Sequence, residues 1–280
     1  MVKIITDTTA CLPPELAHKY QIPVIPQVIN FGEESYYEGL EIDIPTFMQR
    51  MQASKELPKT AAPPPELFVQ EFERLVPEGE AILCIHPSSE VSGTVRSALV
   101  AAKDFPDATI HVIDTRTVSS PLGTMVELAA QYAEQGLAVE EIVSRLKSMV
   151  GRCRVYFLVS TLEYLARGGR IGGASALLGS ILQIKPILTL KDGKVEQHER
   201  ERTYKRAVQR LKELVLEQAP PNGEGYLSIM HAGVPEEAQK LARELGAALN
   251  QAEVPVRDMP PAIVTHGGPG ILGVAFFVKE

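Results

Sequence analysis

The chain has 280 residues, 45% of them hydrophobic and 22% charged, the balance of a folded globular protein with room for one large core or two ordinary ones. A formal net charge of −7 argues against nucleic acid as the main partner, because phosphate binding needs a basic surface. Three widely spaced cysteines, Cys11, Cys84 and Cys153, form neither a CxxC pair nor a His/Cys cluster, which argues against a zinc site and fits a reducing cytoplasm.

The N-terminus runs straight into "VKIITDTT" without an apolar signal segment, so a cytoplasmic location is expected. In chain order, strands are predicted at "VKIIT", "PVIPQVINF", "AILCI" and "IHVID", with "VYFLVS" close to a transition. Between them, helical spacing marks "PPELAHKY", "IPTFMQRMQ", "PPELFVQEFERL", "SGTVRSALVAAKDF", "LGTMVELAAQYAEQG" and "VEEIVSRLKSMV". Several of these open on Pro, which costs nothing in a first turn. This alternation predicts a mostly parallel, Rossmann-like α/β domain over residues 1–160. Its strand exits read "TDTT", "HPSS", "DTRTVSS" and "VST", a rim of hydroxyls and carboxylates where ligands sit in open α/β sheets.

Beyond residue 160 the pattern becomes mixed α/β, giving a second domain over residues 161–280. "ILTLKDGKVEQHERER" reads as a hairpin with Asp192-Gly193 at its turn. Helix "TYKRAVQRLKELVLEQ", strand "GYLSIMHAG" and helix "PEEAQKLARELGAAL" follow, and the chain closes on "PAIVTHGGPGILGVAFFVKE". The apolar segment "ALLGSILQIKPILTL" is broken by Gln183, Lys185 and Pro186, so no membrane insertion is expected.

Five features bear on chemistry. "ILCIHPSSEVSGTVRSALVAA", residues 82–102, ends a strand in hydroxyls and opens a helix at Ser92-Gly93-Thr94, where unpaired N–H groups attract an anion; Ser92 as a plain helix cap is the bland alternative. Residues 268–273, "GPGILG", match G-x-G-x-x-G but lead into a strand-like "VAFFVKE", so no dinucleotide cofactor is expected. His266 stands at a strand end before this glycine turn, either structural or a base for Ser92. "ARGGRIGG" sets Arg167 and Arg170 among glycines, and in "HERER" a strand would put His198, Arg200 and Arg202 on one face, a basic stripe suited to docking.

"ITDTTACLP", "LPKTAAP", "SSEVSGTVRSA", "VIDTRTVS", "TLEYLARGGRIGG", "KPILTLKDGKV" and "HGGPGILG" follow one another in an order that resembles DegV-like proteins over essentially the whole chain. These are bacterial fatty-acid-binding proteins, some of them the acyl-carrying subunit of fatty acid kinase. The resemblance implies a long-chain fatty acid in an apolar tunnel between two domains, its carboxylate held by Ser92 and Thr60 with His266 nearby. It also implies that Arg170 and Arg202 engage a kinase subunit, with no catalytic residue, metal or cofactor in this chain. Thr60-Ala61-Ala62-Pro63 departs from the usual loop, rich in hydroxyl and amide, and Glu90 stands where the family often has Gly.

Two other functions compete with a lipid carrier. One is a serine hydrolase or acyltransferase using Ser92 and His266; the other is a protein-docking module built on the basic stripe. Ester turnover lost in Ser92→Ala distinguishes the first, and partner binding that persists with the lipid site blocked distinguishes the second.

Overall fold

The computed structural model describes residues 2–54, 56–78, 81–178 and 184–279, so Gln183 lies outside the described residues. The chain divides into two compact units, Met1–Gly151 with Pro260–Ala262, and Arg152–Met259 with Ile263–Glu280. The division falls ahead of "VYFLVS" because that strand pairs within the second unit's sheet, which makes the second unit start nine residues earlier than the expected residue 161.

In the first unit, strands β1 (Lys3–Asp7) and β2 (Val24–Ile25) flank helix α1 (Pro14–Lys19). Then come β3 (Val28–Phe31), β4 (Glu34–Tyr37), α2 (Ile44–Ala53), β5 (Lys59–Ala61), α3 (Pro65–Leu75), β6 (Ile82–His86), α4 (Thr94–Ala101), β7 (Ile110–Asp114), α5 (Ser120–Glu134) and α6 (Val139–Arg152). A parallel sheet in the order β2-β1-β6-β7 carries the predicted α/β alternation. Its central strand β6 is a fully buried run, and Ile82 and Cys84 from it, with Ile5 of β1 and Ile25 of β2, pack with Phe68, Phe72 and Leu75 of α3 and Ala98 and Ala101 of α4. Helix α6 turns Val139, Ile142, Leu146 and Met149 inward, the spacing of one helical face. Pro occupies the first turn of α1, α2 and α3, as expected, and also of α5, which starts at Ser120, two residues before the predicted helix.

One predicted strand breaks in two. "PVIPQVINF" ends its parallel pairing at Ile25, because Pro26 has no N–H to continue a ladder. After Gln27 the chain joins a separate antiparallel sheet in the order β4-β3-β5. Strand β5 falls where the resemblance implies a loop, and it carries Thr60 opposite Ile29.

The second unit holds β8 (Cys153–Leu158), α7 (Glu163–Arg167), β9 (Lys185–Lys191), β10 (Lys194–Glu201), α8 (Tyr204–Gln218), β11 (Ser228–His231), α9 (Pro235–Ala248), β12 (Val256–Asp258), α10 (Pro261–Gly267, whose first two residues count with the first unit) and β13 (Leu272–Phe277). A mixed sheet runs β10-β9-β8-β13-β11-β12, with only β11 and β12 parallel. Leu211, Leu214 and Val215 of α8 and Leu241 and Leu245 of α9 pack with Ile229, Val274 and Phe276 of that sheet. The hairpin turns on Asp192 (φ 50°) and Gly193 (φ 79°), the two positive φ angles of a type I′ turn.

Candidate functional site

The exits of β1 and β6 form a buried polar network in the first unit. Asp7 ends β1, and its Oδ1 accepts from Thr9 N at 3.0 Å, Thr9 Oγ1 at 2.6 Å and Gln27 Nε2 at 3.0 Å. Its Oδ2 lies 2.7 Å from Nδ1 of His86, the last residue of β6. An ionised carboxylate only accepts, so Nδ1 carries the proton that lies between them. Gln27 Nε2 also donates to Thr94 Oγ1 at 2.9 Å, and Thr94 Oγ1 lies 2.8 Å from Ser92 Oγ. Asp7, Gln27, His86 and Thr94 are all buried, whereas Ser92 is partly exposed. The strand-exit rim is therefore mostly internal: its hydroxyls and carboxylate satisfy one another, as buried polar groups must.

A second branch runs from Gln27 N to Thr8 Oγ1 at 3.1 Å, and from that hydroxyl to Glu38 Oε2. Glu38 Oε1 accepts from Ala262 N at 2.6 Å. Burial pushes the Glu38 carboxyl up to about 7, against the opposite pull of the two hydrogen bonds.

Ser92 is not the cap residue of α4. Gly93 takes that position, and Ser92 Oγ receives the Thr94 N–H from one residue further out, at 3.3 Å. A side chain at Gly93 would come within 3.2 Å of the Ala62 methyl, so the loop after β5, with Thr60 on its strand, lies against this turn. The Glu90 charge is offset by Arg116, whose Nη1 donates to Glu90 Oε1 at 3.4 Å. Among the described residues, no histidine is a hydrogen-bond partner of Ser92.

In the second unit the structure brings Arg170 and His266 together. His266 stands in the last turn of α10, not at a strand end: Pro261 opens a helix there, and the β-branched "IVT" gave it a strand-like look. Two interlocking glycines fix its place. A Cβ on Gly168 would fall 2.2 Å from His266 Nδ1, and a Cβ on Gly268 (φ 80°) would fall 2.3 Å from the Tyr164 ring. Arg170 Nη1 donates to Gly168 O at 2.6 Å. Burial pushes the His266 imidazole down to about 4, assisted by the Arg170 charge, and burial also lowers Arg170. Arg167 stays outside, paired with Glu163 one helical turn back at 2.6 Å. The residues "GPGILG" lead into β13, without the helix a dinucleotide fingerprint needs.

The basic stripe is altered. A bulge between Gln197 and Glu199 breaks the alternation of β10, and His198 packs on the Tyr156 ring at 4.7 Å. Glu199 pairs with Arg210 at 2.8 Å, while Arg202 lies exposed just past the strand. Sequence reasoning missed Gln27 and Thr94 as network members. "TDTT" and "HPSS" mark the strand exits, but nothing local marks a lone Gln between Pro26 and Val28. Among the described residues no group of three His, Cys, Asp or Glu could hold a metal, and no helix is long and apolar enough to cross a membrane.

Comparison with known proteins places these residues in a family. The sequence profile described as "Uncharacterised protein, DegV family" matches residues 1–279. A DegV domain-containing protein of Halalkalibacterium halodurans is 35% identical over 280 residues, covering 100% of this chain and 99% of its own length. Among solved structures, one described as DegV, a fatty acid binding protein from Bacillus subtilis, superposes with a TM-score of 0.90 at 33% identity, covering 99% of each chain. One described as fatty acid binding of a DegV family protein from Thermus thermophilus gives a TM-score of 0.90 at 32% identity, again over 99% of each chain. With a family profile matched almost end to end and relatives above 30% identity at full coverage, the chain belongs to the DegV family.

Proposed function

We propose that this protein binds a long-chain fatty acid, with Ser92 and Thr60 donating hydrogen bonds to its carboxylate, and that it acts as a carrier. The observation that supports this most is the Ser92 hydroxyl: partly exposed, beside the loop that follows Thr60, 2.8 Å from Thr94 Oγ1 and accepting the Thr94 N–H at 3.3 Å. A hydroxyl so placed has a proton to give, and an anionic acceptor is its natural partner. The fatty acid bound by the Bacillus subtilis and Thermus thermophilus relatives supplies the ligand class.

The energetics fit a carrier. Each buried methylene contributes about 0.8 kcal/mol, so a chain of about fourteen gives on the order of 11 kcal/mol before ordering costs. The hydroxyls then fix orientation more than affinity. Delipidated protein should take up one oleate or palmitate per chain in native mass spectrometry; protein that stays apo in excess lipid removes this reading. Ser92→Ala and Thr60→Val should each weaken binding by about 1.5–3 kcal/mol while leaving the fold intact.

The head group is passed on, in this proposal, to a separate kinase that forms the acyl phosphate. The exposed Arg202 and the half-buried Arg170 are suited to docking it, with His266 beside Arg170. Arg202→Ala should leave oleate retention within about twofold but lower acyl-phosphate formation, most at low salt, as a surface cation acts mainly on encounter. Equal loss of lipid and of phosphorylation would move Arg202 into the lipid site.

A further inference from the structure

The hydrogen directions in the buried network can be worked out one by one. Asp7 only accepts, so Gln27 must face it with its amide nitrogen; the flipped amide would set two acceptors 3.0 Å apart. The second proton on the same nitrogen goes to Thr94 Oγ1. Thr94 is fully buried, and with its oxygen receiving Gln27, its own proton has one acceptor among the described residues, Ser92 Oγ at 2.8 Å. The Thr94 N–H meets the same oxygen at 3.3 Å. Two donors thus converge on Ser92 Oγ, and the Ser92 proton points away from the network. Gln27 itself is held by its backbone N–H to Thr8 Oγ1, and Asp7 by Thr9 and His86.

We propose that Asp7, Gln27 and Thr94 are positioning residues that make the Ser92 hydroxyl a one-way donor and so select a head group that only accepts, a free carboxylate, over an alcohol. This rests on the carboxylate reading above and deepens it. The direction runs from the Asp7 anion, which orients the amide, through the amide, which orients Thr94, to Ser92. A chain of this kind polarises its last member, and a charged acceptor gains more from that than a neutral one.

The test is a mutant cycle on delipidated full-length protein, titrated with oleate and with oleyl alcohol. The variants are Ser92→Ala, Thr94→Val, the double variant and Thr94→Ser, each checked by thermal denaturation. Thr94→Val keeps the shape but removes the donor to Ser92. It should weaken oleate about 5- to 20-fold and oleyl alcohol by no more than about 2- to 3-fold, and Thr94→Ser should bind oleate as wild type does. In the double variant the Thr94 effect should vanish, because it acts through the Ser92 hydroxyl. If Thr94→Val fails to fold, Gln27→Met, which removes the amide donors, takes its place in the same cycle with the same expectation.

Oleate affinity unchanged by Ser92→Ala would overturn the carboxylate reading, and the relay with it. Weakening by Ser92→Ala together with wild-type affinity in Thr94→Val, or with effects that multiply in the double variant, would overturn the relay alone. Equal weakening toward acid and alcohol would also overturn it, since a purely structural loss does not distinguish head groups.

Discussion

His266 enters the folded state as a neutral imidazole. Its value of about 4, against 6.5 for the free side chain, comes first from burial and then from Arg170. A depressed histidine favours folding above its unfolded value, and that contribution is lost as pH falls from about 6.5 through 4. His266 ring resonances in NMR should therefore stay constant from pH 8 to about 5 and shift near 4. A midpoint near 6.5 would show a solvated ring. Cys84 follows the same physics with opposite sign, since burial pushes its thiol up. His266 and Arg170 stand out in the sequence because each sits beside glycines. What those glycines do was not legible: they remove side chains that would collide with an imidazole and a phenol ring. Contacts between segments a hundred residues apart leave no local trace.

Among the elements, those with strong local rules were legible and those set by partners were not. The hairpin of β9 and β10 follows from Asp-Gly, and α6 from its apolar spacing. The bulge in β10 depended on what that strand met in space, while Pro26 ends a ladder and Pro261 opens a helix by local rules that the β-branched residues around each one mask. Helix α5 offers a test of such an encounter. Its first turn lies so close to the Thr8–Ala10 turn that a methyl on Gly123 would fall 2.4 Å from the Ala10 carbonyl oxygen. In a free helix Gly→Ala stabilises by up to about 1 kcal/mol. Here the backbone oxygen cannot swing aside, and overpacking should invert the sign to a loss of about 1–3 kcal/mol. Urea denaturation of Gly123→Ala reads the difference, and a stabilised variant would mean the contact is looser than it stands.

Across the whole molecule, two α/β units and a hydroxyl-bearing strand rim followed from alternation and composition, and the order of motifs pointed to the family. The interior connectivity of that rim did not, because Gln27 and Glu38 carry no motif of their own. Glu38 also makes global stability depend on pH. Its carboxyl rises from 4.5 unfolded to about 7 folded, so its favourable contribution is complete below about 4.5 and fades as pH rises to 7. The change is about 3 kcal/mol. Chemical denaturation from pH 4.5 to 8 should show wild type losing about that much relative to Glu38→Gln, and parallel curves would mean that Glu38 ionises as in water.

The Ala262 N–H that Glu38 accepts belongs to three residues, Pro260–Ala262, that the first unit takes from far down the chain. On the ribosome this sets a waiting time. Gly151 emerges long before Pro260, and at about 5–20 residues per second the residues between them take roughly 5 to 20 s to make. During that interval the Glu38 carboxyl group lacks one of the two hydrogen-bond donors it has among the described residues. A nascent chain stalled after residue 151 should therefore be more open to protease around Glu38 than one stalled beyond residue 262. The last part of the first unit is thus completed only as the second is finished, which couples the maturation of the two in time.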